Sequence, residues 1–443
     1  MILSASKKKR KKTKLENNTK HSFFERLAMF IFIVSLGLGE VVKIGSLKLS
    51  YISPFFVLLS FLFHNHFSIR IVMFNRKINE LIRFYYVWII YAVLQLLWVQ
   101  DLTLYGTFFR ILLINFAVIV FIIIYVQCFS DWMFVLHAFL VMIIVSLLVG
   151  FWEIKTGNHL VEVSEQIQYI YIYRPVAFYG NENDYATVLA LGVFAVLIHF
   201  VLLKKSWFLF LVDGSLLAVI IIQMVMTTSR GAIYSLFLMV VLLLVMLSAT
   251  NASRKLKHGR QLSNCFLILI ALVVTFLLIT NFTSMDLLKM YSNTSNYISD
   301  VARIQMIRNG VKALFNSFGL GVGPGQSILA NGVNLHFFYL EIIVDYGLFV
   351  GGYLLFLFFR LSFWVPSTLE NKRDIWGNAI VRSFPITLIL LGISSSGMIR
   401  LRSTWVVFSL FYLYAYGCLD KKTRIEGVGF LMKENILYGG DKL

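Results

Sequence analysis

Long apolar stretches recur along almost the whole chain, separated by short connections in which most of the charged residues lie. An α-helix needs about 20 predominantly apolar residues to cross a bilayer, so each stretch is a candidate membrane-spanning helix. The period-two alternation that a membrane β-barrel requires is missing from the sequence. The pattern predicts about twelve spans, at 27–44, 49–63, 81–99, 107–127, 132–152, 184–203, 207–226, 231–249, 264–281, 335–359, 379–396 and 402–419.

Composition agrees with this pattern. Hydrophobic residues make up 59% of the 443 residues, and charged residues make up only 14%. A soluble domain of this length could not hide so much apolar surface from water, so we expect an all-α polytopic membrane protein. The three cysteines, Cys128, Cys265 and Cys418, lie in or beside apolar stretches and have no CxxC spacing. They predict neither a disulfide framework nor a metal site.

The distribution of positive charge predicts the orientation in the membrane. A formal net charge of +18 could indicate a nucleic-acid-binding protein, but the charges lie between the spans, so we expect no nucleic acid partner. If the amino terminus is cytoplasmic, the cytoplasmic segments hold 27 Lys and Arg residues and the opposite segments hold 11. The positive-inside rule therefore places both termini in the cytoplasm, with the protein in a plasma or inner membrane.

This topology divides the chain into three regions: a basic cytoplasmic tail at 1–26, a transmembrane domain at 27–419 and a cytoplasmic tail at 420–443. The run KKKRKK at 7–12 is interpreted as a topology determinant that also contacts anionic lipid headgroups. The basic start leads into a full-length span without a small-residue cleavage site, so no cleavable signal peptide is expected.

Two long loops, at 153–183 and 282–334, are predicted on the extracytoplasmic side. Within the second loop, residues 300–318 have the periodicity of an amphipathic helix. Its apolar face comprises Ile304, Ile307, Val311, Leu314, Phe315 and Phe318. Arg303 and Arg308 flank this face, so we expect the helix to lie along the membrane surface with both guanidinium groups at headgroup depth.

Arginines that depart from the positive-inside rule are the main candidates for chemistry. Six are predicted on the extracytoplasmic side, at or near helix ends: Arg174, Arg230, Arg303, Arg308, Arg400 and Arg402. The polar residues expected beside them are Asn181, Asn183, Asp184, His336, Glu341 and Asp345. A single arginine of this kind is often a snorkelling or solvated side chain, but six together favour a shared anionic ligand. Because arginine binds phosphate oxygens bidentately and keeps its charge when partly buried, the expected ligand is a pyrophosphate.

Each motif in these regions also has a plainer interpretation. The segment RPVAFYGNENDYA at 174–186 could be an ordinary turn with capping residues, and His336 could be an interfacial residue at a helix end. TTSRGA at 227–232 is a tight break between two spans. The stretch GLGVGPGQS at 319–327 lacks the Lys-Ser/Thr ending of a P-loop and is interpreted as a flexible turn. The sequence contains neither a DxD pair nor an HExxH motif, and we expect no metal and no cofactor.

Three blocks of the sequence resemble the O-antigen ligase and Wzy-type polysaccharide polymerase superfamily. The blocks are RPxxxxGNxN at 174–183, TxSRGA at 227–232, and the run from Arg303 through GLGVGPG to HxxYLExxxxYGL at 336–348. The sequence departs from the superfamily at Glu182, where proline is frequent, and at Phe337, where a small polar residue is frequent.

The resemblance implies a GT-C-like bundle that transfers a glycan from undecaprenyl pyrophosphate to an acceptor on the outer face of the cytoplasmic membrane, without a metal. The residues it predicts as catalytic are His336, Arg230 and Arg303, with the arginines at the pyrophosphate and the histidine at the acceptor hydroxyl. Predicted substrate-binding residues are Arg174, Asn181, Asn183, Arg308, Glu341, Arg400 and Arg402. The expected partners are the lipid-linked glycan, a glycan acceptor and membrane lipids, with flippase and chain-length regulator proteins as further candidates.

Several functions stay open at this point. A polymerase is preferred to a ligase, because a composition rich in Lys, Asn, Ile and Phe hints at a low-GC host without a lipopolysaccharide core. Capsule, exopolysaccharide and a teichuronic-type wall polymer are all possible products. A lipid-linked sugar flippase or transporter is the main rival; it should place polar groups near the bilayer midplane, where only His137 and Asp213 are candidates. A non-catalytic chain-length regulator or scaffold would not need clustered arginines.

Overall fold

A computed structural model describes most of the chain between residues 21 and 416. The described ranges are 21–38, 41–44, 47–64, 76–163, 168, 172–202, 207–252, 294–364, 372–394 and 397–416. The predicted span at 264–281, residues 1–20 of the predicted amino-terminal tail and the whole predicted tail at 420–443 lie outside these ranges.

Helices dominate the described residues. Their order along the chain, with one short β-ribbon, is α1 (Phe23–Gly37), β1 (Lys43–Ile44), β2 (Leu47–Lys48), α2 (Leu49–His64), α3 (Arg76–Leu94), α4 (Leu102–Tyr125), α5 (Phe129–Thr156), α6 (Glu182–Leu202), α7 (Trp207–Met226), α8 (Arg230–Ala252), α9 (Thr294–Asn316), α10 (Ser327–Asn331), α11 (Phe338–Phe363), α12 (Lys372–Ser394) and α13 (Arg402–Tyr416). A short 3₁₀ turn, Gln95–Leu97, extends α3.

Eight of these helices are long and apolar enough to cross a membrane, which confirms a polytopic helical membrane protein. They contain the segments Ile78–Leu97, Leu102–Tyr125, Phe129–Thr156, Glu182–Leu202, Trp207–Met226, Arg230–Leu247, Phe338–Phe363 and Ile375–Ile393. Three other predicted spans correspond to the shorter helices α1, α2 and α13, of 15, 16 and 15 residues. The total of twelve therefore stays a prediction.

The predicted end of the first span is wrong. The span at 27–44 was expected to be helical to its end, but α1 stops at Gly37 and Lys43–Ile44 pairs antiparallel with Leu47–Lys48. Glu40 and Lys43 interrupt the apolar run here, so a turn of ribbon replaces the last part of the expected helix.

The core of the bundle forms around α6, in which Tyr185 to Val196 are buried without interruption. An aromatic cluster connects α3, α11 and α13: the Trp88 ring centroid lies 5.1 Å from that of Tyr346 and 6.2 Å from that of Trp405. Aromatic pairs at these separations add to the free energy gained from apolar burial. The cluster fixes α11 close to the point where this helix is broken.

The connections between helices meet at two ends of the bundle. At one end, which we call the site end, a chain of contacts links the segments 95–101, 174–184, 227–230, 319–345 and 397–400. At the opposite end, His21 Nε2 lies 2.8 Å from the Tyr125 carbonyl oxygen, and the Tyr416 hydroxyl donates to the Arg360 carbonyl over 2.9 Å. The predicted site residues thus fall mainly at one end.

Candidate functional site

The segment that carries Arg174 is held in place by a buried carboxylate of α5. Glu153 is fully buried, and its Oε2 accepts hydrogen bonds from the backbone N–H groups of Val176 and Ala177, both over 2.7 Å. Ala177 adopts a left-handed φ of 49°, which a non-glycine residue keeps only when its surroundings enforce it. The Arg174 guanidinium then lies 3.9 Å from Glu182, in the first turn of α6.

The turn that precedes Arg230 lies against the start of α6. The Ser229 hydroxyl donates to Asn183 Oδ1 over 2.8 Å, and Asn181 Oδ1 accepts from the Asn183 backbone N–H over 2.7 Å. Deeper in the bundle, the Tyr185 hydroxyl donates to Gln223 on α7. The first two sequence blocks are therefore neighbours in space, and Arg230 begins α8 directly beside them.

The glycine-rich stretch packs tightly against a break in α11, which corrects its interpretation as a flexible turn. Gly347 interrupts the helix with φ 83° and ψ 169°, and the Leu348 N–H donates to the Gly319 carbonyl over 2.9 Å. A Cβ on Gly321 would lie 2.4 Å from the Gly347 nitrogen, so only glycine fits there. The Asp345 carboxylate accepts from the backbone N–H groups of Gly325 and Ser327, each over 2.9 Å.

His336 follows this loop and lies near Arg303 of α9. Its Nδ1 is buried, and no hydrogen bond reaches that atom from the described residues. Burial lowers the pKa of the imidazole below its usual value, and the positive charge of Arg303 lowers it further. The side chain is therefore a neutral base at neutral pH, with one ring nitrogen available as an acceptor.

Arg400 lies in the turn before α13, among acidic side chains. Its guanidinium donates to Asn334 Oδ1 over 2.9 Å and lies 4.8 Å from the Phe108 ring centroid. Glu341 is only 1% exposed, its Oε2 has no hydrogen-bond partner among the described residues, and the positive charge of Arg400 acts on it favourably. Asp184 approaches the same turn, since one of its oxygens lies 3.2 Å from where a Cβ on Gly397 would be.

The structure separates two of the six predicted arginines from this set. Arg402 donates to the Ser50 hydroxyl over 2.6 Å and lies 5.0 Å from the Tyr51 ring centroid, so it connects α13 to α2. Arg308 is exposed on α9, and within the described part of the chain no hydrogen bond or ion pair connects it to the other predicted site residues. The set that the contacts bring together is Arg174, Asn181, Asn183, Arg230, Arg303, His336, Glu341 and Arg400.

Sequence reasoning missed Glu153, although that residue positions the first block. Glutamate near the end of a span is common, and the N–H groups it binds lie 23 and 24 residues further along the chain. Two sequence features could have pointed to it: the carboxylate ends an apolar stretch, and a histidine, His159, follows six residues later. In the structure His159 Nδ1 lies 3.3 Å from Glu153 Oε1.

Fold and site together define a polytopic helical membrane protein with an arginine- and histidine-bearing site at one end. No protein-family model matches the chain. It is similar to the teichuronic acid biosynthesis protein TuaE of Bacillus subtilis (strain 168), with 23% identity over 353 residues that cover 75% of this chain and 71% of the relative. No solved structure matches it.

Proposed function

We propose that this protein is a membrane glycosyltransferase of surface polysaccharide biosynthesis. It polymerises glycan repeats carried on undecaprenyl pyrophosphate, at the extracytoplasmic face of the cytoplasmic membrane, with both termini in the cytoplasm. The similarity to a teichuronic acid biosynthesis protein supports the general role. Glycosyl transfer is favoured by the resemblance of the three blocks and by the candidate site that they form, and a polymerase is preferred to a ligase because the composition hints at a host without a lipopolysaccharide core.

The observation that carries the proposal is a neutral histidine, His336, within electrostatic range of Arg303. Burial and the Arg303 charge lower the pKa of His336, and its Nδ1 has no hydrogen-bond partner among the described residues. A base within electrostatic range of a cation suits a reaction that removes a proton from one substrate while negative charge develops on another.

The proposed step forms one glycosidic bond and breaks one bond between the anomeric carbon and a phosphate oxygen. The acceptor hydroxyl oxygen attacks the anomeric carbon of the lipid-linked glycan, and the bond from that carbon to the phosphate oxygen breaks. The bond's electron pair leaves with undecaprenyl pyrophosphate, whose growing charge Arg174, Arg230 and Arg303 stabilise. The hydroxyl proton passes to His336. Asn181, Asn183, Glu341 and Arg400 are proposed to bind the sugars, since all four supply polar groups at the site end.

A ligase would use the same chemistry with a lipid, wall or protein acceptor, and the geometry favours neither acceptor. Flippase and chain-length regulator proteins are the proposed partners in the cell. The repeat unit must be made and carried across the membrane before this enzyme can use it.

A lipid-linked sugar flippase is the second candidate, because three ionisable side chains meet on the spans, two of them buried (His199 and Asp213) and one exposed (His137). His199 Nδ1 of α6 lies 3.0 Å from each carboxylate oxygen of Asp213 on α7, and His199 Nε2 lies 3.0 Å from His137 Nε2 on α5. Ionisable groups inside membrane spans often mark substrate or proton pathways. Glycosyl transfer at the site end makes no use of these three residues.

Two substitutions test the proposed enzyme in cells that lack the native copy. Arg230→Ala and Arg303→Ala should leave the protein in the membrane at its normal level but abolish long polymer, with a rate loss on the order of 10²–10³ for each. Lys312→Ala is the matched control, since Lys312 is an exposed cation on the same helix as Arg303. Normal chain length in both arginine variants would contradict the proposal.

A further inference from the structure

Helix α9 ends in a conformation that normally calls for glycine. The Gly319 N–H donates to the Leu314 carbonyl over 3.0 Å, and the Phe318 N–H donates to the Phe315 carbonyl over 2.9 Å. These two hydrogen bonds define a Schellman motif, and its left-handed position is usually a glycine. Here it is Phe318, with φ 53°. A side chain makes this conformation unfavourable, because its Cβ approaches the following carbonyl oxygen.

Contacts within the described residues do not compensate for this conformation. The Phe318 side chain is 93% exposed, and Phe315, one turn earlier, is 75% exposed. Two phenylalanines almost free of protein contact, one of them in an unfavourable backbone conformation, indicate an apolar partner outside the bundle.

The surroundings of these rings identify the partner. The Gly319 carbonyl accepts from Leu348 N–H on α11, and the Tyr91 hydroxyl of α3 donates to the Leu320 carbonyl over 2.7 Å. Both helices contain candidate membrane spans. Exposed apolar side chains lie within a few residues of these contacts: Leu97 at 83%, Leu348 at 57% and Phe349 at 62%.

We propose that Phe315 and Phe318 insert into the bilayer at the headgroup–acyl boundary and anchor the carboxyl-terminal end of α9 in lipid. The Leu320 carbonyl lies beside Gln95 in the last turn of the span ending at Leu97, so these rings are at the membrane edge. Aromatic rings are favoured at that depth. The anchor holds the carboxyl-terminal end of α9 at the membrane surface. It does not depend on the proposed reaction.

Site-directed spin labelling in vesicles of phosphatidylcholine and phosphatidylglycerol tests the anchor. A nitroxide is attached to Phe318→Cys in the full chain after Cys128, Cys265 and Cys418 are replaced by serine. Its collisions with oxygen, which partitions into lipid, are compared with its collisions with a water-soluble nickel complex. Asn316→Cys is the matched control, because Asn316 is exposed at the same end of α9 but on the opposite side from the apolar stripe.

The expected result is a several-fold higher oxygen-to-nickel collision ratio at position 318 than at position 316. Equal exposure of both positions to nickel would overturn the proposal. So would shielding of position 318 from both reagents, since that outcome would show a second protein surface over the ring. Phe315→Cys provides an independent measurement, with the same expected and contradicting results, if the label at 318 prevents folding.

Discussion

At the scale of residues, buried carboxylates position the backbone of the site end. Glu153 accepts two N–H hydrogen bonds from Val176 and Ala177, and Asp345 accepts two from Gly325 and Ser327. Such charge-assisted bonds are short and strong, and their loss would leave buried N–H groups unpaired. The sequence indicated that Asp345 faces this end, but its partners depend on a loop that only tertiary packing brings close.

His336 should titrate below the usual pH of a histidine, and Arg303→Gln should raise its pKa. Burial lowers the pKa of the imidazole first, and the Arg303 charge adds to that effect. Diethylpyrocarbonate modifies only the neutral ring, so its reaction at His336, followed by peptide mass spectrometry, reports the titration. The half-maximal rate should lie below pH 6.5 in the native chain and move upward in the variant.

His21, at the opposite end of the bundle, provides the internal control for that measurement, because its reaction should be the same in both proteins. An unchanged midpoint at His336 after removal of the Arg303 charge would contradict the placement of these two side chains.

His21 should stabilise the fold at neutral pH but not at high pH. Burial by itself would lower its pKa, but hydrogen bonds to Asp131 and Glu25 outweigh it and raise the pKa to about 9. Because the pKa is raised in the folded state, the stabilisation is fully present below about pH 6.5, the unfolded value, and is lost as the pH rises through about 9. Its size is of order 3 kcal/mol.

Thermal unfolding of His21→Gln in detergent, at pH 6 and at pH 10, measures this contribution. The variant should be less stable than the native chain at the lower pH and equal to it at the higher pH. Comparing the two proteins at each pH cancels the titration of all other groups. A variant as stable as the native chain at pH 6 would show that the contacts of His21 contribute nothing.

At the scale of elements, the break in α11 and the glycine-rich stretch at 319–327 that packs against it form one unit. Gly347→Ala should be strongly destabilising, because its Cβ would lie 2.6 Å from the Leu320 carbonyl oxygen at a φ of 83°. Gly332→Ala is the matched control: it has a similar φ of 72° and nothing within 4 Å of the added Cβ.

We expect a loss of roughly 1–2 kcal/mol for Gly332→Ala from the left-handed backbone alone. For Gly347→Ala the expected loss is larger, on the order of 3 kcal/mol, because backbone atoms must also shift. Unfolding midpoints of the two purified variants give the comparison. Equal losses would show that the loop does not pack into the break.

Periodicity predicted the elements better than their ends. The helix expected at 300–318 is confirmed as α9, Thr294–Asn316, and its apolar stripe faces mostly outward, with Ile304 at 61% exposure. The span expected to start at 107 begins at Leu102 instead, because the Asp101 carboxylate caps the helix by accepting from the N–H groups of Thr103 and Leu104. A helix cap of this kind depends on a few neighbouring polar residues and is not part of the apolar pattern, so periodicity alone could not locate this helix start.

At the scale of the whole molecule, the sequence predicted which side of the membrane each connection would face. The contacts agree with this prediction in one respect, because the three blocks meet at one end of the bundle. Asn183 contacts Ser229 there, and Asn334 contacts Arg400. Which side of the membrane that end faces stays a prediction from the distribution of Lys and Arg. The contact of Arg402 with Ser50 could not be predicted, because the two residues are 352 positions apart.

The most direct test of glycosyl transfer uses purified protein in proteoliposomes with a glycan on undecaprenyl pyrophosphate as donor and a second lipid-linked repeat as acceptor. Mass spectrometry should show products that grow by whole repeats while undecaprenyl pyrophosphate is released, and His336→Ala should stop both. Donor that moves between the leaflets with no new glycosidic bond would contradict the proposed enzyme and identify a flippase instead.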